Sequence, residues 1–105
     1  MRNNAYYIPD DAGNAKEVSE QEHSVWTTEH SAKYNQEWQR KDGLKILNLT
    51  FYGMQDSCGD IELFRVRNLF KDYQGNIVTN YVEGFDTYDE ALESYDMNLA
   101  MASDY

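Results

Sequence analysis

The chain has 105 residues, among them nine tyrosines, and its formal net charge is −10. This length predicts a single domain over residues 1–105, and the 41% hydrophobic content with many aromatic side chains argues against wholesale disorder. The negative charge argues against direct binding to nucleic acid or to membrane headgroups. The single cysteine excludes an intrachain disulfide, and no apolar run approaches the ~20 residues of a membrane span, so a cytoplasmic protein is expected.

Residues 1–16 are predicted to be a loose N-terminal arm. Within it, residues 5–8 have the composition of one short strand, and the segment at 9–14 is rich in turn-forming residues.

Residues 20–41 are predicted to form an N-terminal helix. Ser19 and Glu22 have the spacing of a capping box, and Gly43 lies where a helix commonly ends. Aromatic residues recur at every fourth position, which would place them on one helical face: Trp26, His30, Tyr34 and Trp38. The alternative is a short strand followed by a helix from about Ala32, since the β-branched residues at 25, 27 and 28 disfavour a helix.

The second half of the chain predicts an antiparallel three-stranded β-meander over about residues 45–85. Apolar and polar residues alternate through 45–54, 61–70 and 77–85, with turn signals between these segments. Thr87 and Glu90 form a second capping-box pattern, which opens a helix over about residues 87–102. Tyr88, Leu92, Tyr95 and Leu99 mark its apolar face. The expected fold is therefore α+β, with the C-terminal helix packed across the meander.

The C-terminal third is a block of uncompensated negative charge. From Asp72 to Tyr105 there are eight carboxylates and no Lys or Arg. Five of them follow the last helix at spacings that form a stripe opposite its apolar face: Asp86, Asp89, Glu90, Glu93 and Asp96. Arg65 and Arg67 share one face of a strand, where they are expected to offset part of this charge, for example through Glu83.

Two interpretations of the stripe stay open. It is either a solvated helix face, in which Asp86, Asp89 and Glu90 favour the helix dipole, or a surface that binds a basic partner. In the second case the partner-binding residues are the five stripe carboxylates together with Glu83, Tyr81 and Tyr88, and Tyr105 is a further candidate anchor.

Catalytic, metal and cofactor signals are weak. Cys58 lies in a predicted exposed turn, and only His23 and His30 provide imidazoles, outside any local catalytic signature. One cysteine with two histidines seven residues apart does not match a zinc site. We therefore expect no enzyme activity, no metal and no cofactor.

Two resemblances bear on architecture and function. The segment from Phe64-Arg65-Val66-Arg67 to Gly75, with Gly84 to Ala91, resembles the sheet-then-helix layout of the arm-site DNA-binding domains of phage integrases. Those domains present a basic sheet to DNA, whereas this region is acidic. The overall profile is similar to that of phage-encoded inhibitors of nucleic-acid enzymes, including DNA mimics, anti-restriction proteins and anti-CRISPR proteins.

The leading hypothesis is a small acidic binding protein without enzyme activity. It would inhibit a nucleic-acid-handling protein by occupying its basic surface. The first alternative is a homo-oligomeric adaptor or structural module that associates through an apolar patch, such as the face carrying Trp26 and Trp38. The second is a small enzyme that uses Cys58 or a carboxylate pair.

Overall fold

The computed structural model describes residues 5–55 and 58–103. It confirms the α+β prediction: an antiparallel sheet of six strands is packed by two helices. In chain order the elements are β1 (Tyr6–Pro9), β2 (Ala15–Val18), α1 (Glu20–Tyr34), β3 (Gln36–Gln39), β4 (Lys45–Gln55), β5 (Ile61–Lys71), β6 (Ile77–Phe85) and α2 (Tyr88–Ser103). Among these residues, no helix is long and apolar enough to span a membrane.

The predicted meander is β4, β5 and β6, in adjacent antiparallel order. Leu49 of β4 lies opposite Val66 of β5, and both are fully buried. Their neighbours alternate between the two faces of the sheet, so the period-two pattern places one set of apolar side chains against the helices. This face forms the core together with Tyr7 of β1 and Tyr95 of α2.

The N-terminal helix is shorter than predicted. It ends at Tyr34, not near residue 41, and β3 follows and pairs with β4. The backbone amide of Asn35 still bonds the Ser31 carbonyl, but Asn35 itself has an extended conformation. The alternative of a strand before the helix is also wrong, because Ser19 accepts a hydrogen bond from the Glu22 amide and starts the helix directly after β2.

Most of the expected loose arm forms a hairpin in the described residues. β1 pairs with β2, and Tyr6 at its start lies opposite Met54 at the end of β4. The Asp10 carboxylate accepts the amides of Ala12 and Asn14, both at 2.9 Å, which fixes the turn between the two strands. The hairpin therefore extends the sheet on the side away from β6.

A β-bulge in β4 depends on Gly53. The register shifts between Phe51 and Met54, and Gly53 has a φ of 65° in a buried position. A Cβ at this position would lie 2.3 Å from the backbone oxygen of Tyr7 and 2.9 Å from Nε2 of His23. Only glycine fits both this conformation and this close approach of β1 and α1.

The predicted apolar face of α2 packs on the sheet. Ala91 and Tyr95 are buried, and Tyr88, Leu92 and Leu99 pack against the core. The hydroxyl of Thr87 accepts the Glu90 amide at 3.3 Å, which caps the start of this helix. Because α2 lies chiefly over β4 and β5, the last strand, β6, is only partly covered.

Strand β6 ends the sheet, and seven of its nine residues are exposed. It contains neither Lys nor Pro, which are common at strand edges that avoid further pairing. In the part of the chain that the structure describes, no strand pairs with its outer edge.

Candidate partner-binding surface

An open groove of about 530 Å³ runs between β6 and α2. We call it the acidic groove; it is lined by Tyr81, Glu83, Phe85, Glu90, Glu93, Ser94, Met97, Asn98 and Met101. It combines carboxylates with exposed apolar side chains, since Met97 and Met101 are 62% and 67% exposed.

The groove follows from the register of β6 and the position of α2. Phe85 lies opposite Phe64, and Glu83 lies opposite Val66, so these alternate residues of β6 face the helix side of the sheet. On α2, residues spaced three or four apart, such as Glu90, Glu93 and Met97, lie on the flank toward β6. The lateral offset of α2 from β6 leaves the space between them open.

The acidic groove has no compensating base. Its lining residues include three carboxylates and neither Lys nor Arg. The ion pairs found among the described residues are Arg40 with Asp42 and Arg65 with Glu62, and neither involves the C-terminal third. The negative potential of the groove is therefore unopposed locally.

The expected compensation of Glu83 by Arg65 does not form. Arg65 alternates with the buried Val66 and points to the face of the sheet without helices, whereas Glu83 lies opposite Val66 on the helix side. The Arg65 guanidinium donates to the Glu62 carboxylate at 2.5 Å and lies 3.5 Å from the centroid of the Tyr52 ring. Arg65 therefore forms its ion pair on the face of the sheet opposite Glu83 and does not neutralise the groove.

The structure distributes the predicted stripe over three settings. Glu90 and Glu93 line the acidic groove with Glu83 and Tyr81. Asp89 lines a different pocket at the start of α2. Asp86 and Asp96 are exposed but line neither concavity.

Asp96 acts on a neighbouring tyrosine instead. Burial raises the pKa of Tyr95 above its ordinary value, and the nearby charges of Asp96 and Glu37 raise it further. Asp96 directly follows Tyr95 in the sequence and is not among the residues that line the groove.

The predicted aromatic anchors differ in exposure. Tyr81 is 48% exposed at the groove. Tyr88 is half-buried against the core, where its hydroxyl accepts a hydrogen bond from Gln36 Nε2 at 2.9 Å. Tyr105 lies outside the described residues.

Tyr81 and Glu83 form a hydrogen bond inside the acidic groove. The phenol donates to Oε2 of Glu83 at 2.5 Å. This bond raises the pKa of Tyr81, since losing the phenolic proton would break it and place two negative charges side by side. The bond is intact at neutral pH and is lost as the pH rises through the pKa of Tyr81.

We expect Glu83→Gln to lower the ionisation midpoint of Tyr81 toward the ordinary value for tyrosine, because the carboxylate acceptor is gone. The midpoint can be followed by NMR titration of the Tyr81 ring. Glu93→Gln is the control, since it removes the same charge from the groove without touching the hydrogen bond. A midpoint equally lowered in both variants would mean that the general field, and not the bond, sets the pKa of Tyr81.

A second concavity of about 580 Å³ lies at the opposite side of the α2 N-terminus, between the β1–β2 turn and α1. We call it the aromatic pocket; it is lined by Pro9, Asp10, Asp11, Ala12, Gly13, Trp26, His30, Tyr34, Phe64, Thr87, Tyr88 and Asp89. The spacing of Trp26, His30 and Tyr34 indicated a shared helical face. Nothing in the sequence indicated that the hairpin turn and Tyr88 would meet that face.

The face carrying Trp26 and Trp38, considered above for self-association, packs partly against other residues of the chain. Trp38 packs against the core from β3, and the Trp26 ring lies 4.5 Å from the ring of Phe51. Both tryptophans are therefore partly buried, and Trp26 also lines the aromatic pocket.

The catalytic alternative gains no support from geometry. Cys58 is exposed, while the imidazoles of His23 and His30 each contact a backbone carbonyl, of Tyr52 and Trp26 respectively. In residues 5–55 and 58–103, no group of three or more His, Cys, Asp or Glu side chains is arranged to hold a metal ion.

In comparisons with known proteins, no family model, no characterised protein and no solved structure matches this chain. The candidate surface must therefore be interpreted from its own residues.

Proposed function

We propose that this protein is a non-enzymatic inhibitor that occupies the basic surface of a nucleic-acid-handling protein. The observation that carries the proposal is the acidic groove: three carboxylates and two exposed methionines line one open surface, with no Lys or Arg among the lining residues. Its contact residues are Glu83, Glu90, Glu93 and Tyr81, and Asp86, Asp89 and Asp96 extend the negative field along α2.

Electrostatics supports a basic partner. A net charge of −10 on 105 residues attracts a positive surface over several ångströms and accelerates encounter with it. The carboxylates of the groove are exposed, so a partner can approach them without first displacing an internal ion pair. Such a complex should weaken as the salt concentration increases.

The spacing of the carboxylates supports competition with nucleic acid. Successive turns of α2 place exposed charges about 5 Å apart along the helix axis. A DNA strand repeats its phosphates on a similar scale, with a duplex carrying a charge about every 1.7 Å of axis. A surface evolved to bind phosphates would therefore accept α2 and β6 in place of a nucleic-acid backbone.

The exposed methionines would add affinity beside the carboxylates of the groove. Met97 and Met101 lie one helical turn apart beside Tyr81, and flexible methionine side chains adapt well to a partner's surface. The groove therefore offers an apolar contact next to its carboxylates, and both kinds of residue are common at protein interfaces.

We expect the triple variant Glu83→Lys, Glu90→Lys and Glu93→Lys to lose partner affinity by at least about a hundredfold, since attraction becomes like-charge repulsion. The tagged protein is used to capture partners from bacterial lysate at low and high salt, with identification by mass spectrometry. The captured protein is then purified and tested for displacement by duplex DNA.

The control is the triple variant Glu17→Lys, Glu20→Lys and Glu29→Lys. It makes the same charge change outside the groove. Glu17 is an exposed strand residue, as Glu83 is, while Glu20 and Glu29 lie in the first turn and farther along a helix, as Glu90 and Glu93 do. Equal loss in both triples would show that net charge alone governs binding. Full capture by the groove triple, or capture that DNA does not displace, would contradict the proposal.

Self-association through the groove is the second candidate. Exposed Met97 and Met101 favour it, because neighbouring exposed apolar side chains can pack against the same residues of a second copy. It predicts a mass above that of a monomer in analytical ultracentrifugation, and Met97→Ser with Met101→Ser should return the mass to that of a monomer. The three groove carboxylates oppose it, because two copies would bring like charges together.

A further inference from the structure

We propose that the aromatic pocket binds an organic cation, namely the charged end of an arginine or methylated lysine side chain of a partner protein. The pocket joins rings from α1, β5 and α2 with carboxylates from the β1–β2 turn and α2. This combination of aromatic walls and an acidic rim is the one that recognises guanidinium and quaternary ammonium groups.

The rings that line the pocket contact one another, and Phe64, which is 1% exposed, lies at its base. The Trp26 centroid lies 4.7 Å from that of His30 and 5.8 Å from that of Tyr34. Tyr34 contacts Tyr88 at 4.9 Å in an edge-to-face arrangement, and Tyr88 contacts Phe64 at 5.5 Å. A cation within about 6 Å of such ring centroids is stabilised by their quadrupoles.

One ring of this surface already accepts a cation from the chain itself. Lys33 Nζ lies 5.7 Å from the centroid of Tyr34, although Lys33 is not a lining residue. The Tyr34 ring is therefore within cation–π distance of a positive charge, and an incoming cation would have to share or displace this contact.

The rim selects for charge. Asp10, Asp11 and Asp89 contribute three carboxylates, and none of the lining residues is Lys or Arg. Asp10 uses one oxygen to hold the turn, whereas Asp11 and Asp89 are exposed at the rim. A neutral ligand of the same shape would gain the aromatic contacts but not this attraction.

The pocket has a suitable size and a defined position. Its volume of about 580 Å³ is in the range of small-ligand sites and exceeds what one side chain fills, so it also admits part of the adjoining peptide. It is separated from the acidic groove, and the two share no lining residue. A basic partner could therefore contact both surfaces, at opposite sides of α2.

The test uses three small probes: acetyl-arginine amide, acetyl-trimethyllysine amide, and acetyl-citrulline amide as the neutral isostere of arginine. Each is titrated into the 15N-labelled protein up to about 50 mM, above the millimolar dissociation constant expected for ligands of this size. We expect saturable shifts of the Trp26 indole N–H with the cationic probes. The trimethylammonium protons should move upfield, because they lie over ring faces. Saturation by only one cationic probe would identify which cation the pocket takes.

The matched variants separate local from general electrostatics. Asp11→Asn with Asp89→Asn should weaken binding of the cations about threefold to tenfold, as expected for two exposed charge contacts. Glu17→Gln with Glu20→Gln removes the same charge at exposed positions that line neither concavity, and it should leave the affinity unchanged. Equal binding of citrulline, no saturable shift with either cation, or equal weakening by the two variants would overturn the inference.

Because the ligand is a side chain of a partner protein, this inference rests on the proposed function. Different experimental outcomes would nevertheless overturn each of the two. Cation binding to the pocket without capture of any basic protein would overturn only the proposed function. Capture that depends on the acidic groove, without cation binding to the pocket, would overturn only this inference.

Discussion

Replacing Phe64 by alanine is expected to lower the free energy of unfolding by about 3–5 kcal/mol, a large part of the roughly 5–15 kcal/mol available to a small domain. Phe64 is 1% exposed, and its ring contacts those of Tyr34, Phe51 and Tyr88. It therefore joins α1, β4 and α2 at one point. The loss combines removal of apolar contacts with the cavity left in a core that cannot close around it.

Phe70→Ala is the control for this prediction. It makes the same chemical change on the same strand, but Phe70 is 40% exposed, so its loss should cost about 1 kcal/mol or less. Urea unfolding followed by circular dichroism gives both values. Similar losses in the two variants would mean that the ring cluster at Phe64 is not the centre of the core.

The second large effect is expected from Gly53→Ala, which should destabilise the fold by about 3 kcal/mol or more. The added methyl group would meet the backbone oxygen of Tyr7 and the side chains of Phe51 and His23. Backbone atoms cannot move aside as a side-chain end can, so β1 must separate from the bulge in β4. Loss of the hairpin should then accompany loss of stability.

Gly75→Ala separates the cost of the positive φ from the cost of the steric clash at Gly53. Gly75 also has a positive φ, of 84°, but a Cβ there meets nothing within 4 Å. Its cost should be only the conformational one, about 1–2 kcal/mol. Thermal unfolding compares the two variants, and amide hydrogen exchange of residues 6–18 shows whether the hairpin opens. If the two substitutions lower the free energy of unfolding equally, the close approach at Gly53 does not contribute to stability.

The meander could be predicted because its strands are long and alternate regularly. Eleven residues in β4 and in β5 provide several repeats of the period, and register then follows from burial. The short strand predicted at residues 5–8 matches β1, although its pairing partners did not follow from the sequence. By contrast, β2 and β3 have four residues each, too few for a period to be recognised. Their existence depends on pairing with β1 and β4, which no local pattern contains.

Trp38 explains why the sequence predicts a first helix, over 20–41, that is longer than α1 in the structure. A residue four positions after Tyr34 fits a helical face, but it also fits one face of a strand, where side chains repeat every two residues. Pairing of β3 with β4 decides between the two, since it satisfies the backbone of residues 36–39 in the sheet. Local propensity contributes little to that choice.

The candidate site was predictable in composition but not in arrangement. The carboxylates of α2 could be placed on one exposed face from their spacing, and they are exposed. Their division between two concavities depends on the lateral position of α2, which is set by how Ala91 and Tyr95 pack on the sheet. The aromatic pocket depends on contacts between elements more than fifty residues apart, such as the hydrogen bond between Gln36 and Tyr88.

Within residues 5–55 and 58–103 the outer edge of β6 pairs with no strand, and from this we expect the acidity of the chain to have a protective role as well. A strand with open backbone donors and acceptors, and with Ile77, Val78 and Val82 exposed, is a template for fibril growth. At neutral pH, mutual repulsion between highly charged molecules keeps such edges apart. Near the isoelectric point of about 4.4 the net charge vanishes, so that colloidal barrier falls and aggregation through this edge is expected. The charge that would attract a partner also isolates each molecule from its own copies.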